Sequence, residues 1–336
     1  MAAASVRDVA LRAGVSVGTV SNVMNHPEKV SPATGERVQA AILALGFVRN
    51  DAARQLRVGR STTIGLVVLD VRNPFFTDVA RGAEDQASEA GLTVTLGNSD
   101  ENPGREAKYL DLFEEQRVHG ILISPYADIT ERLRRLRNHG IPAVLVDRSS
   151  RDLSFSSVSV DDVAGGELAV GHLLERGRRR IAFVGGPFEI RQVGDRHLGA
   201  ATAVARYPDA TLEVVDLPAL SVIAGRTAGT EIAARPAGER PDAIFAANDL
   251  VAMGVLQALM MQGVNVRVPD DIALIGYDDI DFAGAAVVPL SSIRQPSALI
   301  GQTAVAILLE ESDDPTLEPR QVVFQPELVV RESTGS

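Results

Sequence analysis

From Thr63 onward the chain alternates two kinds of segment, and this rhythm limits the folds open to it more than any other feature. Short buried-type apolar runs, TIGLVVLD (63–70), LTVTLGNS (92–99), GILISPY (120–126) and PAVLVDR (142–148), are separated by helix-length stretches such as 78–90 and 107–116. The alternation resumes with RRIAFVGGP (179–187), TLEVVDL (211–217), DAIFAANDL (242–250) and IALIGYDD (272–279). Strands that alternate with helices predict an α/β protein with parallel sheets covered on both faces. Eight such units are too many for one small sheet and suit two similar subdomains.

In open parallel sheets, ligands bind beyond the C-terminal ends of the strands. Those ends carry Asp70 with Asn73 and Phe75, then Asn98, Asp147 with Arg148, Asn248 with Asp249, and Asp278 with Asp279. Carboxylates, amides and arginines around one crevice suit a polyhydroxylated ligand, because each hydroxyl both donates and accepts. Asp249 and Asp279 read as helix caps. Tryptophan is absent, so Phe75, Phe76 and Tyr126 are the aromatic candidates for a ligand contact, with Phe76 read as core.

The first sixty residues follow a different pattern. Ser5 and Asp8 form a capping-box signature, and Val6, Val9, Ala10 and Ala13 give the first helix one apolar face. Gly14 stands where a left-handed residue would end that helix, and Ser16 is a good N-cap for the next. Val20, Val23 and Met24 make the inward stripe of this second helix, which leaves Val17, Gly18, Thr19, Ser21, Asn22 and Asn25 outward. Ser31, Pro32 and Gly46 bracket a third helix with Val38, Ile42 and Leu45 inward. Three short helices joined by a tight glycine turn predict a helix-turn-helix, whose second helix enters the DNA major groove.

Charge supports a nucleic-acid partner for this segment alone. The formal net charge is −11, yet residues 1–60 hold eight Lys/Arg against four Asp/Glu, leaving 25 against 40 in the remainder. A basic head on an acidic body expects a polyanion at the head only.

The run VRDVALRAGVSVGTVSNVMNHPEKVSPATGERVQAAILALGFVRNDAARQLRVGR resembles, without gaps, the DNA-binding head and hinge of the lactose-repressor (LacI/GalR) family of bacterial transcription regulators. The resemblance implies base contacts from Val17, Gly18 and Asn22, with Thr19, Ser21 and Asn25 at backbone or neighbouring contacts. Most members carry Arg where this chain has Asn22; Arg grips guanine bidentately, whereas Asn prefers adenine or a looser contact, so the operator sequence does not carry over from relatives. Residues 50–61, read alone as a linker, are implied to be a hinge helix that orders on DNA. Leu56 would wedge between base pairs in the minor groove, Ala53 would face the partner helix, and Asn50 and Arg54 would lie near phosphates.

The resemblance extends to about residue 332, through NPFF (73–76), VDR (146–148), AGG (164–166), Arg196 and Gly199 of an R-x-x-G segment, FAANDLVAMG (245–254), VPDDIALIGYDDI (268–280) and PLSSIRQP (289–296). It implies two Rossmann-like parallel-sheet subdomains of periplasmic-binding-protein type. The expected divisions are a helix-turn-helix domain over 1–48, a hinge over 49–61, and an effector and dimerisation domain over 62–336. Within the last, one subdomain takes 62–161 with 293–325 crossing back, and the other 162–292. Phe75, Asp147, Arg148, Gln192, Arg196, Asn248 and Asp278 are the expected effector residues. Segment 207–226 lacks the aromatic that often stacks on a sugar ring and offers Leu217, Leu220 and Val222 instead.

Enzyme chemistry finds no foothold. VGGPFEI is not the G-x-G-x-x-G of a dinucleotide fold, and there is no Walker loop, no G-x-S-x-G and no H-E-x-x-H among the five scattered histidines. The absence of cysteine removes thiolate metal sites and thiol nucleophiles. No cofactor and no metal are expected. No run approaches the roughly 20 apolar residues of a membrane span, so no membrane contact is expected and the protein reads as cytoplasmic. The chain stops at VVRESTGS without the leucine-rich helix by which some relatives form tetramers, which points to a homodimer. The expectation is therefore a repressor, responsive to a small molecule with sugars favoured, that binds double-stranded palindromic operator DNA as a dimer. The alternatives are control by a purine, a nucleoside or a protein co-effector, or a sugar-binding protein of periplasmic type without DNA function.

Overall fold

The computed structural model describes residues 4–47, 61–149, 153–261 and 263–335. The chain divides into two compact units, 1–60 and 61–336.

The smaller unit holds α1 (Val6–Ala13), α2 (Val17–Asn25) and α3 (Pro32–Leu45). The Ser5 hydroxyl accepts the Asp8 N–H while the Asp8 carboxylate accepts the Ser5 N–H, so the capping box is complete. Gly14, at φ 65°, ends α1, and the Val15 N–H closes the turn on the Ala10 carbonyl at 3.0 Å. Any other residue type there would strain the backbone. Val9, Ala10, Ala13, Val20, Val23, Val38 and Ala41 form the core, with Met24, Ile42 and Leu45 partly buried against it.

The larger unit contains two six-stranded sheets. The first holds β1 (Thr63–Val68), β2 (Thr93–Asn98), β3 (Gly120–Ile123), β4 (Ala143–Val146), β5 (Ser157–Val160) and β11 (Gln321–Phe324), in the order β11-β5-β4-β3-β1-β2, all parallel. The second holds β6 (Arg180–Gly185), β7 (Thr211–Asp216), β8 (Ala243–Ala246), β9 (Ala273–Asp278), β10 (Ser291–Arg294) and β12 (Glu327–Val329), in the order β12-β10-β9-β8-β6-β7, parallel except for β12. Helices α4 (Pro74–Glu89), α5 (Pro103–Glu115), α6 (Thr130–Asn138) and α12 (Ser297–Asp313) belong to the first subdomain. Helices α7 (Asp162–Glu175), α8 (Arg191–Val204), α9 (Val222–Ala234), α10 (Asp249–Leu259) and the single turn α11 (Asp281–Gly284) belong to the second.

Why β1 is apolar throughout is clear from its packing. Ile64, Leu66 and Val68 enter one core, while Val67 enters another with Phe113, Ile121 and Ile123. Both faces are covered, as parallel strands with helical crossovers require.

The chain passes between the subdomains three times: after β5, after β10, and between β11 and β12. The expected boundary at 292/293 is corrected by this topology. Ile293 and Arg294 pair with Tyr277 and Asp278 on β9 and with Leu328 and Glu327 on β12, so they stay in the second sheet. The sequence rhythm also misses β5, β10, β11 and β12. SVSV and SSIR carry buried serines, so no apolar run announces them: Ser157 bonds Gln321 on β11, Ser291 bonds Thr334, and Ser292 bonds Asp249. Among the described residues no helix is long and apolar enough to cross a membrane.

Candidate functional site

Helix α2 presents an uncharged surface. Val17, Gly18, Asn22 and Asn25 are exposed and Thr19 and Ser21 half-exposed, while Val20 and Val23 are buried. The Ser16 hydroxyl accepts the Thr19 N–H at 3.0 Å and meets the Thr19 hydroxyl at 2.9 Å, which caps the helix and orders its first turn. The Asn25 amide donates to the Ser21 carbonyl at 2.8 Å and to its hydroxyl at 3.2 Å. Thr19, Ser21 and Asn25 thus shape the helix, and Val17, Gly18 and Asn22 are its outward features. The expected hinge contacts Asn50, Ala53, Arg54 and Leu56 lie outside the described residues.

A cleft of about 400 Å3, its open mouth included, lies between the C-terminal ends of the two sheets. The first subdomain lends Leu69, Asp70, Asn73, Phe75, Phe76, Glu101 and Asp147; the second lends Ile190, Gln192, Arg196, Leu220, Asn248 and Asp278.

Helix starts position several of these groups. Asn73 caps α4 with its Oδ1 on the Phe75 N–H, and its Nδ2 donates across the cleft to Asp278 Oδ2 at 2.8 Å. Asn248 caps α10 in the same manner, accepting the Val251 N–H at 2.9 Å. Arg196 leaves α8 to donate from Nε to Asp162 Oδ1 and from Nη1 to the Ala247 carbonyl, both at 2.8 Å. Its guanidinium stacks 3.7 Å over the Tyr277 ring and stands 3.9 Å from Asp278 Oδ1. Gln192 Nε2 donates to the carbonyl and to Oδ2 of Asp147, at 2.5 and 2.9 Å.

Three of the cleft acids sit on left-handed backbone: Glu101 at φ 53°, Asp147 at φ 57° and Asp278 at φ 106°. Such conformations cost on the order of 1–3 kcal/mol each and persist only where the surroundings impose them. Here the imposing partners are Gln192 on Asp147, and Asn73 with Gln295 on Asp278.

Burial raises the carboxyls of Asp147, Asp162 and Asp278; Asp162 pushes Asp147 further up, and Arg196 opposes the rise in all three. For Arg196 itself burial disfavours the charge, but Asp162 and its neighbours outweigh it and hold the guanidinium protonated. Glu101 is raised to about 7, first by burial and then by Asp70.

Of the expected effector residues, Phe75, Asp147, Gln192, Arg196, Asn248 and Asp278 line the cleft together. Arg148 does not. It follows Asp147 around the left-handed bend and points the other way, donating to the carbonyls of Pro125 and Ala127 at 3.3 and 2.6 Å. Tyr126 is also off the cleft, half-buried against the core. Phe76, read as core, both packs and lines the cleft, edge-to-face with Phe75 at 5.0 Å. The capping reading of Asp249 and Asp279 is corrected as well. Asn248 is the cap; Asp249 is fully buried and receives the Ser292 hydroxyl at 2.7 Å and the Ile280 N–H at 2.9 Å. Asp279 pairs with Arg294 and Arg331, at 2.8 and 2.7 Å. Leu69, Glu101 and Ile190 went unread because nothing in their local sequence distinguishes a loop residue that turns inward.

Residues 5–50 match the bacterial regulatory proteins of the lacI family, and residues 170–334 match the periplasmic binding protein-like domain. The HTH-type transcriptional repressor PurR of Photobacterium profundum is 35% identical over 334 residues, 98% of each chain. The chain belongs to the lacI family of bacterial regulatory proteins. The Ribose operon repressor of Escherichia coli (strain K12) is 32% identical over 340 residues, 98% of this chain and 99% of its own. A solved structure of the Lac repressor dimer bound to operator and the anti-inducer ONPF, 27% identical, covers 100% of both chains with a TM-score of 0.83. As a lacI-family member the protein is a DNA-binding, ligand-responsive transcriptional repressor and not an enzyme. Its helix-turn-helix head and its two parallel-sheet subdomains are those of the family.

Proposed function

We propose that this lacI-family protein acts in the cytoplasm as a homodimer on a near-palindromic operator, and that a small sugar in the cleft between the two sheets sets its affinity for that DNA. The observation that carries the reading is the cleft itself. Asn73 and Gln192 already bridge the subdomains through Asp278 and Asp147, so a ligand that joins this network changes how the subdomains hold one another. A coupling of about 1–3 kcal/mol is typical of such linkage and alters operator occupancy several-fold or more.

A sugar is favoured over a purine by the cleft walls. Among the described lining residues, Phe75 and Phe76 stand on the first-subdomain side, and Ile190 and Leu220 supply the apolar side chains of the second, so a flat base has no ring there on its other face. The relationship to a ribose operon repressor agrees with a pentose-sized ligand. At the DNA, Val17, Gly18 and Asn22 read base edges, with Thr19, Ser21 and Asn25 beside them.

The experiment selects operator sites from random DNA with the full chain, then measures affinity for the selected site with pentoses, hexoses and purines. A palindromic site whose affinity moves with a sugar is expected. Only salt-sensitive, sequence-independent binding would refute base reading by α2, and a response to purines alone would replace the sugar.

A further inference from the structure

Glu101 sits in the turn between β2 and α5, where Asp100 and Glu101 are successive left-handed residues at φ 54° and 53°. The turn is built to hold that shape. Asp100 receives Arg72 and Arg105, each at 2.8 Å, and the Glu101 N–H donates to the Leu69 carbonyl at 3.1 Å. Its half-buried side chain therefore enters the cleft from a braced position and accepts the backbone N–H of Leu220 from the opposite subdomain.

The rest of the cleft asks for donors. Asp147 Oδ1 and Gln192 Oε1 are buried without a hydrogen-bond partner, and the amide oxygen can only accept. Because Gln192 turns its amino group onto the Asp147 carboxylate, its carbonyl oxygen is left over. Buried acceptors left unmade are costly, and a ligand hydroxyl satisfies them. Among the described lining residues four are carboxylates, Asp70, Glu101, Asp147 and Asp278, and one is a cation, Arg196. The charge of Arg196 is committed to Asp162 and Asp278, and that of Arg72 to Asp70 and Asp100. Among the described lining residues, an anionic ligand would meet acidic side chains and no cation that is not already paired.

We propose that Glu101 is a specificity-determining residue of the cleft, and that with Asp147 and Asp278 it confines the effector to an uncharged, hydroxyl-rich molecule, a free sugar and not its phosphate ester or acid. The inference rests on the effector reading above. Its pH dependence follows from the groups around Glu101: Asp70, Asp100 and Arg72 on its own subdomain, Tyr126 within electrostatic range, and the Leu220 N–H opposite. With its carboxyl raised to about 7, Glu101 is mostly protonated at pH 6 and mostly ionised at pH 8, so rejection of anions strengthens across that interval.

Calorimetric titration of the full chain at pH 6 and pH 8 tests this with neutral pentoses and hexoses, their phosphate esters, and D-glucuronate and D-galacturonate, whose carboxylates keep one charge throughout. At least one neutral sugar binds, its charged counterparts bind tenfold or more weakly, and the penalty on the uronates grows several-fold from pH 6 to pH 8. In Glu101→Gln that growth disappears. Equal or tighter binding of a charged counterpart, or a penalty in the wild-type chain that does not change with pH, overturns the proposal. So does binding of no sugar at all; specific operator binding by the same preparation then leaves the regulator reading intact, and its absence overturns that reading as well.

Discussion

At the residue scale the molecule turns on Arg196. It is a single buried guanidinium serving Asp162 directly and Asp278 at longer range, with its flat face on Tyr277. Replacing it by Met removes the cation but leaves the acids in place, and an uncompensated buried charge costs on the order of 3–5 kcal/mol. The pH dependence follows. Asp147, Asp162 and Asp278 already have raised carboxyls, and without Arg196 opposing the rise they go higher. Folded values above the unfolded ones mean that stability is fully present below the unfolded value near 4 and is lost as pH rises through the folded value. Urea denaturation of Arg196→Met should therefore show a larger deficit against wild type at pH 8 than at pH 5. An equal deficit at both would mean that lost packing, not charge, dominates.

At the scale of elements, paired glycines set the helix crossings. A Cβ on Gly199 would stand 2.0 Å from the Val163 carbonyl oxygen, and one on Gly166 would stand 2.1 Å from the Arg196 carbonyl oxygen, so α7 and α8 touch backbone to backbone. The same reciprocity joins α4 to α12 through Gly82 and Gly301, and α9 to α10 through Gly225 and Gly254. Because α7 carries Asp162 and α8 carries Arg196, the close crossing also sets their 2.8 Å contact. Gly199→Ala is expected to destabilise by about 1–3 kcal/mol through overpacking and to weaken effector binding. Gly171→Ala, on α7 with open space around it, is expected to stabilise slightly, since Ala is the better helix former. Thermal melts of the two variants separate crowding from helix propensity.

At the scale of the whole molecule, charge is partitioned between a basic head and a body with 40 acidic against 25 basic side chains. Operator affinity should fall steeply between 50 and 200 mM salt, because phosphate contacts release counterions. Asn22→Arg should shift the selected site toward guanine at the contacted position while leaving the salt slope within about one unit of wild type, provided that the new side chain reads a base and not a phosphate. A slope that steepens further would place residue 22 on the backbone.

Local sequence by itself determined the elements whose causes are local. Gly14, the Ser5–Asp8 box and Ser16 fix where α1 stops and α2 starts through bonds that span three or four residues, so the helix-turn-helix was legible. Apolar runs between helical stretches likewise announced parallel sheets; of the polar residues at strand ends, Asp70, Asn73, Asp147, Asn248 and Asp278 meet in one cleft, while Asn98, Arg148, Asp249 and Asp279 take other partners. What only the tertiary structure decided involves partners far apart in the chain. Asn73 meets Asp278 across 205 positions, Ser292 rather than a helix end claims Asp249 across 43, and Arg148 turns away where Gln192 comes in. Glu101 joins the cleft because a braced left-handed turn delivers it there. The AGG and R-x-x-G signatures are helix crossings as well as neighbours of the site. A hydrogen bond or a backbone contact needs two surfaces in register, and that register exists only once both sheets have formed.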